Sequence, residues 1–180
     1  MSDRPLMTQA EMDATLTHVA EQIVDQGCGD AALVGIRSRG VPLAYWLAKA
    51  LEKKTGKTVR VGALDINLYR DDLTEVGAQP ILHKTEIPFR IDGEGIILVD
   101  DVLYTGRTIR AAMDALIDFG RPKFIKLAVL VDRGWRELPI QADFVGTTVD
   151  TKADEVIKVM TEEFDGKNQV VLKEHFSKRT

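Results

Sequence analysis

Two adjacent carboxylates, Asp100 and Asp101, stand just ahead of a hydroxyl-and-glycine turn in the string Asp100-Asp101-Val102-Leu103-Tyr104-Thr105-Gly106-Arg107-Thr108. The pair can accept hydrogen bonds from vicinal ribose hydroxyls, and it is anionic where a sugar cation would develop. Gly106 lets the backbone approach an anion closely, and the Thr105 and Thr108 hydroxyls add donors. The same residues open a helix, whose first amides are unpaired and whose dipole is positive there, which suits a phosphate. An acidic pair alone would more simply end a strand. The whole string points to a phosphorylated pentose.

A second loop, Gly35-Ile36-Arg37-Ser38-Arg39-Gly40, brings two arginines to a strand-to-helix turn. Arginine is a fixed cation with several donors and is well matched to pyrophosphate. Exposed arginines flanking an ordinary turn are the plain alternative. Arg70-Asp71-Asp72 opens a long segment, residues 70–90, with Gly77, Pro80 and Pro88 and no sustained periodicity. A stretch of that kind is usually functional or mobile.

Competing phosphate-loop readings fail on context. Gly56-Lys57-Thr58 looks like the end of a Walker A motif, but Leu51 occupies the position of the required earlier glycine. It also follows a helix and precedes a strand, the reverse of a P-loop. Gly27-Cys28-Gly29-Asp30-Ala31-Ala32 fits a loose dinucleotide fingerprint, yet it too precedes its strand.

The elements that must position these loops follow from periodicity. Thr8-Gln9-Ala10-Glu11 reads as a capping box, and Met12, Leu16, Val19, Ile23 and Val24 then repeat at helical spacing up to Gly27. Ala32 to Ile36 is a short apolar strand. A helix from about Val41 carries Leu43, Ala44, Leu47, Ala48 and Leu51 on one face and ends at Gly56. Val59 to Leu68 and Ile96 to Val99 read as strands. A helix from about Gly106 presents Ile109, Ala112, Met113, Leu116 and Ile117 as its stripe. Further strands are expected at Phe124 to Val131, Phe144 to Val149, Val156 to Met160 and Gln169 to Leu172. Strands that alternate with helices and are apolar throughout indicate an α/β fold with a mainly parallel central sheet flanked by helices. Ligands of such folds sit beyond the carboxyl ends of the strands, where the turns at 37–40, 100–108 and 132–135 lie.

The chain has 180 residues, 44% apolar and 29% charged, with a net charge of −4. That length fits one domain, residues 1–180, and no repeat, low-complexity run or linker divides it. The negative charge argues against wholesale wrapping by nucleic acid without excluding a local basic patch. No apolar run is long enough for a membrane span, the start lacks a signal peptide's apolar stretch, and Cys28 has no internal disulfide partner. A cytoplasmic protein without membrane association is expected.

Residues 97–108 resemble the phosphoribosyl pyrophosphate (PRPP) signature of type I phosphoribosyltransferases: an apolar strand, two acidic residues, two apolar residues, then a Thr-Gly-x-Thr turn. Tyr104 departs from the small residue often found there. Val129 to Ile140 (Val-Leu-Val-Asp-Arg-Gly-Trp-Arg-Glu-Leu-Pro-Ile), Asp65 to Leu73 and Asp114 to Pro122 resemble one branch of that family, the bifunctional pyrimidine-operon attenuation regulators with uracil phosphoribosyltransferase activity. The likeness runs from about Thr8 to Asp150.

The resemblance implies a type I phosphoribosyltransferase fold with a mobile hood loop beginning at Arg70, Asp71 and Asp72. Uracil and PRPP would give UMP and pyrophosphate. Asp100, Asp101 and Arg39 are the expected catalytic residues, with Asp100 and Asp101 also facing Mg²⁺. Asp100 through Thr108 (with Val102, Leu103, Tyr104, Thr105, Gly106 and Arg107 between) would hold PRPP. Arg37, Ser38, Arg39 and Gly40 would take the leaving pyrophosphate, in a loop that sometimes carries a non-proline cis peptide. Val131, Asp132 and Arg133 would meet uracil.

The regulatory half implies uridine-nucleotide-dependent binding of pyrimidine-operon leader RNA, with Arg136 and Lys152 as its expected cations. Here the first helix carries Glu11, Asp13, Glu21 and Asp25 against His18, and Trp135 and Gln141 replace the family's usual histidine and arginine. The alternative is the same scaffold with one function retained, as enzyme or as regulator. A purine or orotate enzyme is disfavoured by residues 129–140. A homodimer or homotetramer is expected from the resemblance.

Overall fold

The structure, a computed structural model, describes residues 3–72 and 84–174. Residues 73–83 of the irregular segment therefore lie outside the described residues. The elements in order are β1 (Arg4–Met7), α1 (Gln9–Asp25), β2 (Ala32–Ile36), α2 (Gly40–Thr55), β3 (Val61–Leu64), β4 (Gly95–Leu103), α3 (Arg107–Ile117), β5 (Phe124–Asp132), β6 (Phe144–Thr148), β7 (Glu155–Met160), α4 (Glu162–Asp165) and β8 (Gln169–Glu174).

Five strands form a parallel sheet in the order β3-β2-β4-β5-β6. Val34 pairs with Gly62 on one side and Leu98 on the other, so β2 and β4 sit side by side at the sheet's centre. Strand alternation then feeds two cores. Leu33, Ile97 and Leu130 pack with α1 and α2, while Val34, Ile96, Leu98 and Val129 pack with Ile109, Ala112 and Leu116 of α3. Each large aliphatic side chain so buried contributes about 1.5–3 kcal/mol.

The capping box at the start of α1 is formed: the Thr8 amide donates to Glu11 Oε2 at 2.7 Å, and the Glu11 amide donates to Thr8 Oγ1 at 3.3 Å. Farther along α1, the Gln22 side chain exchanges two hydrogen bonds with the Val145 backbone, occupying groups that the edge strand β6 would otherwise leave open.

Several boundaries differ from expectation. The strand expected over Val59–Leu68 ends at Leu64, because the Asp65 carboxylate accepts the Asn67 amide and turns the chain into a single 3-10 turn. Strand β4 runs on to Leu103, so Asp100 and Asp101 lie within paired strand rather than after it. Ile117 leaves the α3 stripe and is 57% exposed, its place taken by Ala111 and Ala115. A second, antiparallel sheet of order β1-β8-β7 was not expected as a separate layer. Its Met7, Ile157, Val159 and Leu172 extend the α1/α2 core. Strand β1 is short and carries Pro5, a combination that sequence patterns score as loop and that edge strands tolerate.

Candidate active site

The sheet reverses its winding between β2 and β4, and the crevice beyond their carboxyl ends is where an α/β sheet places a ligand. Three loops meet around it: 37–40 after β2, 104–106 after β4, and 133–141 after β5.

Gly40 begins α2 directly against β4. A Cβ there would stand 2.4 Å from the Val99 carbonyl oxygen and 3.4 Å from the Asp100 Cα, so only glycine permits this approach. The Arg37–Ser38 peptide is cis. The two arginines of this loop share its end of the sheet, but their side chains diverge. Arg37 donates through Nε to the Lys84 carbonyl at 2.9 Å and lies 3.8 Å from Glu86. Arg39 pairs with Asp165 instead, through Nε at 3.2 Å and Nη2 at 3.1 Å. Each finds a partner on a different neighbouring segment.

Asp100 is 7% exposed, and Asp101 is half-buried beside it. Asp100 Oδ1 accepts the Asp101 amide at 2.9 Å, and Asp101 Oδ1 accepts the Val102 amide at 2.8 Å. Burial pushes the Asp100 carboxyl well above the usual carboxylate range, and the neighbouring Asp101 charge adds to this. Burial also raises Asp101, opposed by its hydrogen bonds with Asp100 and Val102 and by the charge of Arg39. A positive group placed beside this pair would relieve the cost of ionising it. Among the described residues no cluster of three or more His, Cys, Asp or Glu side chains forms a metal cage.

The turn that follows is built for close approach. Gly106 has φ +93°, and an added Cβ would lie 3.2 Å from Ile140 Cβ. It forms the N-terminal boundary of α3 with no side-chain cap, and Arg107 N donates to Thr105 Oγ1 at 3.3 Å. The first-turn amides of Thr108 and Ile109 have no intrahelical acceptor, so an anion can take them. The Arg107 guanidinium reaches outward, to Asp71 Oδ2 and to Glu137 Oε2, each at 2.7 Å. It thereby ties the start of the 70–72 segment to the loop after β5. Arg70 is paired with Asp72, at 2.9 and 2.6 Å.

On the acceptor side, Val131 is buried, so only its backbone is available there. Arg133 is 6% exposed and stacks its guanidinium 4.0 Å from the centre of the Tyr104 ring. Its Nε donates to Thr151 Oγ1 at 3.2 Å and its Nη2 to the Lys152 carbonyl at 3.3 Å. Asp132 accepts the Gly134 amide at 2.9 Å and pairs with Arg136 at 2.5 Å. Trp135 adopts φ +65° and donates its indole N–H to the Thr151 carbonyl at 3.0 Å.

Arg136 is not a free surface cation. Its Nη1 donates to the Tyr104 and Gly134 carbonyls at 2.9 and 3.3 Å, and its Nε donates to the Ile140 carbonyl at 2.8 Å. It clamps the loops after β4 and β5 together. Lys152 is exposed. The acidic α1 is partly compensated, since Glu21 pairs with Lys54 and Asp13 accepts the Trp46 indole N–H.

A concavity of about 710 Å³ lined by Arg4, Asp150, Thr151, Lys152, Glu155, Leu172 and Glu174 lies off the crevice and contains none of residues 100–108. The crevice is the better candidate, because it gathers the buried carboxylates and the free helix start. Sequence reading missed Asp165 and Thr151. Neither belongs to a local motif, and Asp165 lies 126 positions from Arg39.

Comparison with known proteins agrees with this geometry. The phosphoribosyl transferase domain model matches residues 7–165. The Bifunctional protein PyrR of Thermus aquaticus is 57% identical over 169 residues, covering 93% of each chain. The Bifunctional protein PyrR of Thermus thermophilus has the same identity and coverage. The hypoxanthine phosphoribosyltransferase of Trypanosoma cruzi superposes with a TM-score of 0.74 at 18% identity, over 97% of this chain and 98% of that one. At that identity it attests the fold alone.

Proposed function

The chain belongs to the phosphoribosyl transferase domain family and, within it, to the bifunctional PyrR proteins, and from that premise we propose that it forms UMP and pyrophosphate from uracil and PRPP and also acts as a uridine-nucleotide-dependent RNA-binding attenuator. The whole chain is taken as one phosphoribosyltransferase domain. The observation that carries the catalytic reading is the meeting, at the β2/β4 crevice, of the buried Asp100 with the half-buried Asp101, an uncapped helix start at Gly106 and the Arg37–Gly40 loop.

In this reading the Thr105 and Thr108 hydroxyls and the first amides of α3 bind the 5-phosphate. Asp100 and Asp101 accept the ribose hydroxyls and complement the positive charge that develops at C1. Uracil N1 forms its bond to C1 as the C1–oxygen bond to pyrophosphate breaks; the electron pair leaves with the pyrophosphate, which takes up the proton that N1 gives up. The protein needs no nucleophile of its own, because the base is one. Its contribution is orientation and electrostatics. Arg39 stabilises the departing pyrophosphate, and Arg133 with the Asp132 and Val131 backbone frames the base.

The family's use of Mg²⁺ fits the residues present. A magnesium ion is commonly held by one or two carboxylates plus substrate phosphates rather than by a protein cage. Asp100 and Asp101, whose ionised forms burial disfavours, would hold it in that manner. Bound there, it supplies charge neutralisation for the pyrophosphate.

UMP formation measured with a panel of bases tests the catalytic reading: uracil is turned over, and turnover of hypoxanthine or orotate with uracil inert would sink it. For the regulatory reading, a pyrimidine-operon leader hairpin is expected to bind more tightly than its scrambled counterpart, more so with UMP and less so at high salt. Equal affinity for the two hairpins would leave an enzyme alone. The acidic residues of α1 favour that second outcome, and Lys152 favours the first. Light scattering reads the expected dimer or tetramer. Among the described residues no helix is long and apolar enough to cross a membrane.

A further inference from the structure

Asp165 ends the four-residue helix α4, in the connection between β7 and β8, and its side chain is 8% exposed. Four donors converge on it. Arg39 supplies Nε at 3.2 Å and Nη2 at 3.1 Å, Lys158 supplies Nζ at 3.1 Å, and Thr161 supplies its amide at 3.1 Å. The Arg39 hydrogen bond, above all, lowers the carboxyl to about 2, so it is anionic throughout the working range. The Phe164 ring lies 6.0 Å from the Arg39 guanidinium carbon and bounds it on another side.

Which edge of the guanidinium is used matters. The Nε–Nη2 edge is taken by Asp165, while Nη1 meets no hydrogen-bond acceptor among the described residues. Two cations, Arg39 and Lys158, face the Asp165 carboxylate, and the Arg39 charge also reaches Asp101. A held guanidinium with one free edge is prepared to receive an anion. A guanidinium fully consumed by an internal pair is not.

We propose that Asp165 is a positioning residue for the pyrophosphate loop, orienting Arg39 so that its free edge receives the diphosphate of the donor. This rests on the phosphoribosyl-transfer reading above and adds that the small antiparallel sheet contributes to the donor site. Orientation spares the side-chain ordering that an unrestrained arginine must undergo on binding, commonly ~0.5–1.5 kcal/mol, or about two- to tenfold in affinity.

The test compares wild type with Asp165→Asn, which keeps the shape and removes the charge. Calorimetric affinities for PRPP and for pyrophosphate, each with Mg²⁺, and the KM values for PRPP and uracil are measured. PRPP and pyrophosphate affinity should fall about two- to tenfold, with the KM for uracil unchanged and Asp165→Glu recovering part of the loss. In an Arg39→Lys background, Asp165→Asn should add little, because the effect runs through the guanidinium.

Unchanged affinity in Asp165→Asn overturns the proposal, as does tighter binding, which would mean that Asp165 competes with pyrophosphate. Full additivity with Arg39→Lys overturns it as well. Should Asp165→Asn fail to fold, Asp165→Glu is read in its place, expecting a smaller loss confined to PRPP and pyrophosphate. Wild type that binds neither compound overturns the functional reading and this proposal together. Wild type that binds both while the variant binds equally overturns this proposal alone.

Discussion

Replacing Arg136 by leucine separates two roles that one residue could have. Its guanidinium forms an ion pair with Asp132 and hydrogen bonds with the carbonyls of Tyr104, Gly134 and Ile140. The two side chains of the pair are 15% and 16% exposed. Breaking a fully buried pair by removing one partner costs about 3–5 kcal/mol, and partial exposure here brings the expectation to about 2–4 kcal/mol. For a chain of 180 residues, each kcal/mol lowers Tm by roughly 2–4 °C, so a fall of about 5–15 °C is expected in a thermal melt.

The kinetic effect should be larger than the thermal one suggests. Arg136 joins Tyr104, in the loop that would hold the 5-phosphate, to Asp132, in the loop that would meet the base. A misplacement of about 1 Å between donor and acceptor can cost ~10²-fold in rate. Steady-state UMP formation should therefore drop by about that factor in kcat/KM. Arg136→Lys should recover only part of it, since an ammonium keeps the charge without the planar fork. Wild-type Tm and turnover in Arg136→Leu, with loss of affinity for leader RNA alone, would refute the clamp and restore the residue to an RNA-facing role.

Further outcomes follow from the same geometry. Asp101→Asn should reduce turnover steeply while leaving Tm equal or slightly higher, because burial already disfavours the ionised carboxyl; a collapsed melt with normal turnover would contradict the assignment. Asp165 has a folded-state value, about 2, below its ordinary 3.8. Its contribution to stability is therefore present above about pH 4 and lost as pH falls toward 2. The stability gap between wild type and Asp165→Asn in urea titrations should close over that interval, and a gap that widens on acidification would reverse the sign. Gly106→Ala must place a side chain at φ +93° against Ile140, costing roughly 1–3 kcal/mol and weakening PRPP binding more than uracil binding. Equal affinity for PRPP would show that the turn does not meet the phosphate.

The donor loop is legible in the sequence because its chemistry is local. Asp100, Asp101, Thr105, Gly106 and Thr108 are close in the chain, and the strand and helix on either side announce themselves through apolar periodicity. The same holds for the capping box at Thr8, whose partners are neighbours within one turn. Parallel β2, β4 and β5 are also legible, since strands buried on both faces are apolar throughout.

Side-chain destinations are another matter. Arg37 and Arg39 look equivalent in the sequence, yet one turns to residues 84–86 and the other to Asp165. Arg136 looks like a solvated cation and is a clamp, and the Val131 side chain is sealed in the core. The arginine outcomes depend on partners that only the folded chain brings near: residues 84–86 for Arg37, the connection between β7 and β8 for Arg39, and Tyr104 for Arg136. The types and spacing of residues 97–108 point to a site for a phosphorylated pentose. Only tertiary structure decides which cations face it, because a guanidinium goes to whichever carboxylate the fold brings within reach.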